Sequence, residues 1–61
     1  MNARQTIEYI DQNPDCVIAD PQDSRYCACE DCRQAREWIR THQDVWQIYQ
    51  QFGKYKALRA L

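Results

Sequence analysis

Apolar residues recur along this chain at helical rather than strand spacing. Near the start, Ala3, Ile7 and Ile10 fall four and three positions apart, which puts them on one face of a helix over residues 2–12. Thr6 and Tyr9 flank that face. Asn13-Pro14 ends it, because proline has no amide donor and the residue before it avoids the helical region. A longer stripe runs through Ala35, Trp38, Ile39, Val45, Trp46, Tyr49 and Phe52 and predicts one long amphipathic helix from Glu30 to Phe52. Glu30 and Asp31 suit the positive end of its dipole. Arg33–Glu37 and Arg40–Asp44 are attractive pairs four apart, and Arg36–Arg40 is a repulsive one. Gly53 is the expected C-cap, followed by a short helix that includes Tyr55, Leu58 and Leu61. The alternative is a helix running through Gly53 at a cost of about 1 kcal/mol.

Between the two helical patterns, residues 13–28 are rich in turn formers: Asp15, Asp20, Pro21, Asp23 and Ser24. Val17-Ile18-Ala19 within them reads either as a short extended segment or as loop. The first helix is too short to persist alone and must be held by packing. A chain of 61 residues buries only about 60% of its unfolded surface, so folding needs a staple. With 44% hydrophobic and 28% charged residues, the composition is that of a globular domain rather than a disordered tail. The expected fold is a mostly α single domain over residues 1–61: short N-terminal helix, zinc-anchored loop, long amphipathic helix.

The staple is expected from the cysteines. Cys16, Cys27, Cys29 and Cys32 are spaced C-x10-C-x-C-x2-C, which suits either two disulfides or one metal site. The opening Met-Asn-Ala-Arg lacks the apolar core of a secretory signal, so a reducing cytoplasmic location is expected and disulfides are disfavoured. Thiols two or three residues apart would also close very short, strained loops. Convergence on one ion fits the spacing better. Four thiolates at about 2.3 Å form the closed tetrahedron of a structural zinc site, with iron or another soft metal as the lesser alternative.

His42 is the remaining conventional ligand. Ten residues of helix separate it from Cys32, about 15 Å, which is too far for a shared ion. Cys16 therefore completes the set by elimination. Arg25, Arg33 and Arg36 lie close enough in sequence to offset part of the thiolate charge.

The knuckle Cys27–Cys32 leading into a helix resembles the knuckle and helix of small zinc-finger domains. The H-x3-C-x2-C pattern of zinc-binding anti-sigma factors is not met, since Arg25 stands at the position of its histidine.

An all-cysteine site leaves no open coordination position and no polarising partner, so an enzyme is not expected, and neither is a small-molecule substrate. No apolar run approaches the roughly 20 residues of a membrane span. A binding module remains. Trp, Tyr and Phe make up 11% of the chain, a heavy aromatic load for so small a core. The surplus at Tyr49, Phe52, Tyr55, Leu58 and Leu61 is the expected contact surface for a protein partner or a second copy of the chain; the bland alternative is a C-terminal segment folded back on its own domain.

The second reading is a DNA-binding regulator. It would use Arg33, Arg36 and Arg40 along one helix face with Lys54, Lys56 and Arg59. The net charge of −1 and pI of about 5.6 speak against it. Residues 1–31 carry −5 and residues 32–61 carry +4, summing to that −1, which describes either two faces for different partners or an internal match. A regulatory or accessory role on cellular machinery, as in bacterial or phage accessory proteins, is the expected setting.

Overall fold

In a computed structural model describing residues 1–61, the chain forms five helices and no strand. They are α1 (Ala3–Gln12), α2 (Pro14–Ile18), α3 (Glu30–Thr41), α4 (Gln43–Phe52) and α5 (Lys54–Arg59). Helix α1 begins with a capping box at Asn2. The Asn2 side chain accepts from the Gln5 amide at 2.8 Å, and the Gln5 side chain accepts from the Asn2 amide at 3.0 Å. Thr6 adds a bond from its hydroxyl to the Asn2 carbonyl and is itself buried. The helix stops where proline was expected to stop it, and the Tyr9 carbonyl accepts both the Asn13 amide at 2.9 Å and the Asn13 side chain at 3.1 Å.

Pro14 then does a second job. It occupies the first position of α2, where its missing donor is not needed and its fixed φ is already helical. Val17 and Ile18 are therefore helical, not extended: Val17 is buried, while Ile18 remains 55% exposed. The expected loop shrinks to the stretch between α2 and α3, where Asp20 and Asp23 accept turn bonds from the amides of Asp23 and Tyr26.

The single long helix is a correction. It is broken at His42, whose backbone (φ −130, ψ 55) leaves the helical region. Three consecutive polar side chains satisfy the carbonyls that a continuous helix would have used. Thr41 donates to the carbonyls of Glu37 and Trp38, the His42 ring nitrogen meets the Trp38 carbonyl at 3.0 Å, and Gln43 donates to the Ile39 carbonyl at 2.6 Å. Such local competition is why short polar residues favour helix ends. The charge pairs also differ from the expected ones. Arg40 binds Glu37 at 2.7 Å instead of Asp44, and Arg33 approaches Glu30 rather than Glu37.

Two small clusters make the core. Ile10, Val17, Cys32, Ala35 and Trp46 form one, with Tyr9, Cys16 and Cys27 packed around it. Ile7, Val45 and Ala57 form the other, with Ile48 and Leu58 beside it. Trp38 and Tyr49 touch both. Helix α1 lies between them, packing on α3 and on α5. Its carboxylate Asp11 accepts from Tyr49 at 3.2 Å and pairs with Lys54 at 3.5 Å, so α1 also grips the α4–α5 junction. Lys54–Asp11 is thus an internal match between the basic and acidic halves.

Gly53 ends α4 at φ 96, ψ −176, a backbone region that side chains with a Cβ enter only under strain. The cap expected from sequence is present, and it turns the chain so that α5 folds back with Ala57 fully buried. A Cβ at Gly53 would touch nothing within 4 Å, so its penalty is one of backbone alone. Gly53→Ala should cost about 1–3 kcal/mol. Urea unfolding beside the parent chain should show a lower midpoint with an unchanged slope.

Candidate metal centre

The knuckle forms because the chain enters α3 in extended conformation. Cys29 is the N-cap residue (φ −67, ψ 164), and its carbonyl accepts the first helical bond from the Arg33 amide at 3.0 Å. Cys32 follows one turn later, 1% exposed against Ile10, Val17 and Trp46. Cys27, two residues before the cap, is half-buried on the same cluster, and Cys29 is exposed. The sulfur atoms of Cys27, Cys29 and Cys32 all lie within 4.8 Å of one another. Sulfurs bound to one zinc at about 2.3 Å would be about 3.8 Å apart, so these three close cysteines could hold a metal ion with only small adjustments.

The fourth cysteine is not among them. Cys16 sits on α2 and packs against the Ile10–Cys32 cluster, outside the group of mutually close sulfurs. None of the four is disulfide-bonded. His42 is outside the group too. Its ring stacks on Trp38 at 4.6 Å with the planes 8° apart, and its nitrogen is engaged at the α3 carboxyl end. A side chain that the sequence placed only on the flank of α1 reaches the thiols instead. The Tyr9 hydroxyl is 3.0 Å from the Cys32 sulfur and 3.8 Å from that of Cys29. No spacing rule links Tyr9 to the knuckle, because the contacts span 20 and 23 residues and exist only once α1 packs on α3.

The environment separates the thiols. Cys29 is lowered to about 7, first by the Cys32 backbone N–H and then by the Cys27 thiol. That amide faces the sulfur without closing a short capping bond. Cys32 is pushed up to about 11, chiefly by burial. The Tyr9 phenol is held well above its ordinary range, first by its hydrogen bond to Cys32 and then by burial, so it stays protonated and available as a donor.

The arginines expected near the thiolates have other partners. Arg25 is pinned to Asp23 at 3.0 Å and lies 3.7 Å from Asp15. Arg36 turns inward, with Nε on the Val17 carbonyl at 2.9 Å and Nη2 on the Cys16 carbonyl at 2.6 Å, its guanidinium stacked on Tyr26. It caps the carboxyl end of α2 and ties α2 and the loop to α3.

The two expected contact surfaces are sorted the same way. Tyr49 and Leu58 serve the fold: Tyr49 stacks on Trp46 at 5.2 Å and binds Asp11, and Leu58 covers the Ala57 cluster. Phe52, Tyr55 and Leu61 stay exposed at 63%, 77% and 52%. Of the basic residues, Arg36 is structural, Arg33 and Arg40 have acidic neighbours, and Lys54 is paired with Asp11. Lys56 and Arg59 are exposed without an ion-pair partner, Lys56 lying over the Phe52 ring. No helix is long and apolar enough to cross a membrane.

Comparison with known proteins adds no relative: no family model matches the chain, no curated protein matches it and no solved structure matches it.

Proposed function

We propose that this protein is a non-enzymatic, zinc-stapled helical module that binds another protein through the end of α4 and the α5 segment. The observation that carries the reading is the division of labour among its large apolar residues. Trp38, Trp46, Tyr49 and Leu58 are taken up by the two core clusters, while Phe52, Tyr55 and Leu61 are left open. Exposed aromatic residues beside a tight turn are what interface anchors look like, and Lys56 beside the Phe52 ring favours a partner with acidic groups around an apolar spot.

One structural zinc, ligated by Cys27, Cys29 and Cys32, would tie the loop to the first turn of α3. Zinc suits the set because thiolates hold it strongly and no redox chemistry is required. The trio is one donor short of a closed tetrahedron, and Cys16, the fourth ligand expected from sequence, stands outside it. The fourth position therefore falls to a donor from outside the three. A thiolate-ligated zinc suits the reducing cytoplasm expected from the sequence.

Protein purified without added metal should carry one zinc per chain, and chelation should abolish its cooperative helical transition. Cys27→Ser should lose both metal and helicity. Cys16→Ser should keep its zinc; loss of the metal in that variant would restore the four-thiolate set instead.

For the partner, tagged chains are compared in pull-downs after nuclease treatment. A protein recovered by the parent at low and high salt, lost with Phe52→Ala/Tyr55→Ala and kept with Arg33→Gln/Arg40→Gln/Arg59→Gln, supports the reading. Retention on DNA that falls steeply with salt and disappears in the arginine variant would replace it with the DNA-binding alternative.

A further inference from the structure

We infer that Tyr9 is the positioning residue of the metal centre, donating an O–H···S hydrogen bond to the bound thiolate of Cys32 and, more weakly, to that of Cys29. This rests on the reading that Cys27, Cys29 and Cys32 hold a metal. Its own support is geometric. The Tyr9 oxygen lies 3.0 Å from one sulfur and 3.8 Å from the other. It is the hydrogen-bonding side chain that reaches those sulfurs from outside the knuckle, and it comes from another helix. Cys32 is 1% exposed, so water is excluded from its sulfur and a protein donor must take water's place.

A thiolate bound to a metal still carries excess negative charge. A phenol O–H aimed at it offsets that charge without competing for the ion, and groups placed this way orient ligands and tune metals generally. The bond also decides which part of the fold feels the metal. Tyr9 sits two residues before Asp11, the carboxylate that holds Tyr49 and Lys54. The last turn of α1 thus touches the knuckle through Tyr9 and the α4–α5 junction through Asp11, and metal occupancy would steady that junction through α1.

Tyr9→Phe removes the hydroxyl and keeps the ring. Competition titration should give zinc binding roughly 10–100-fold weaker than in the parent chain. With cobalt(II) in place of zinc, the sulfur-to-metal charge-transfer band should move to longer wavelength, because an unbonded thiolate gives up its electron more readily. Ile10→Val, a packing change one residue away on α1, serves as the comparison: it should weaken binding without moving the band.

Equal zinc affinity and an unmoved band in Tyr9→Phe would overturn the assignment while leaving the metal site intact. Weaker binding with an unmoved band would overturn it as well, by assigning the loss to packing. A parent chain that takes up neither zinc nor cobalt would bring down the metal reading and this inference together.

Discussion

The seating of Cys32 between α1 and α3 is the contact on which the rest of the molecule depends. The residue is as buried as Ile7 and Ile10, yet its sulfur also belongs to the thiol trio. Core packing and metal-ligand geometry therefore meet in one side chain. Only 9 of 61 residues are buried, too few for hydrophobic burial to hold so short a chain comfortably by itself. A cross-link placed at Cys32 acts inside the larger of the two core clusters. It would stabilise the loop before α3 and the helix pair behind it at once, which is how a structural metal substitutes for a larger core.

Polar groups extend that arrangement outward. Arg36 closes the exposed carboxyl end of α2 onto α3, and Asp11 joins α1 to the α4–α5 turn. Both use charged groups as internal clamps rather than as surface features. The basic face that a helical wheel of α3 shows is thereby dismantled: one arginine is turned inward and its two neighbours lie beside glutamates. What remains unpartnered at the end of α4 and along α5 is mostly apolar and aromatic, with Lys56 and Arg59 as its only free charges. That balance favours protein over nucleic acid as the proposed partner, because phosphate recognition needs free positive charge in quantity.

Much of the helical architecture was legible in the chain, and the failures have identifiable causes. The α1 face, its stop at Asn13-Pro14 and the Gly53 cap follow from spacing and backbone chemistry, which act over a few residues. The break at His42 was readable in principle. The stripe skips from Ile39 to Val45, and Thr41, His42 and Gln43 fill the gap with side chains that compete for helix carbonyls. Periodicity alone bridged that gap because both halves keep a helical period. The α2 helix was hidden by turn-forming residues around it, although Pro14 followed by Asp15 is also a good helix start.

The candidate site divides along the same line. Cys27, Cys29 and Cys32 are neighbours in sequence, so their convergence was determined by local geometry: an extended entry, a cap and one helical turn. Cys16 and Tyr9 are remote from them, and which of the two approaches the thiols depends on how α1 and α2 pack against α3. Elimination chose the residue with the conventional ligand chemistry; the fold leaves it outside the close trio and sets the phenol of Tyr9 3.0 Å from the Cys32 sulfur. Helices, caps and the thiol knuckle belong to the sequence because they arise from forces between near neighbours. Which side chains enclose the knuckle, and which aromatics stay exposed, belongs to the tertiary structure, because those choices are made only when separate helices compete for one small core.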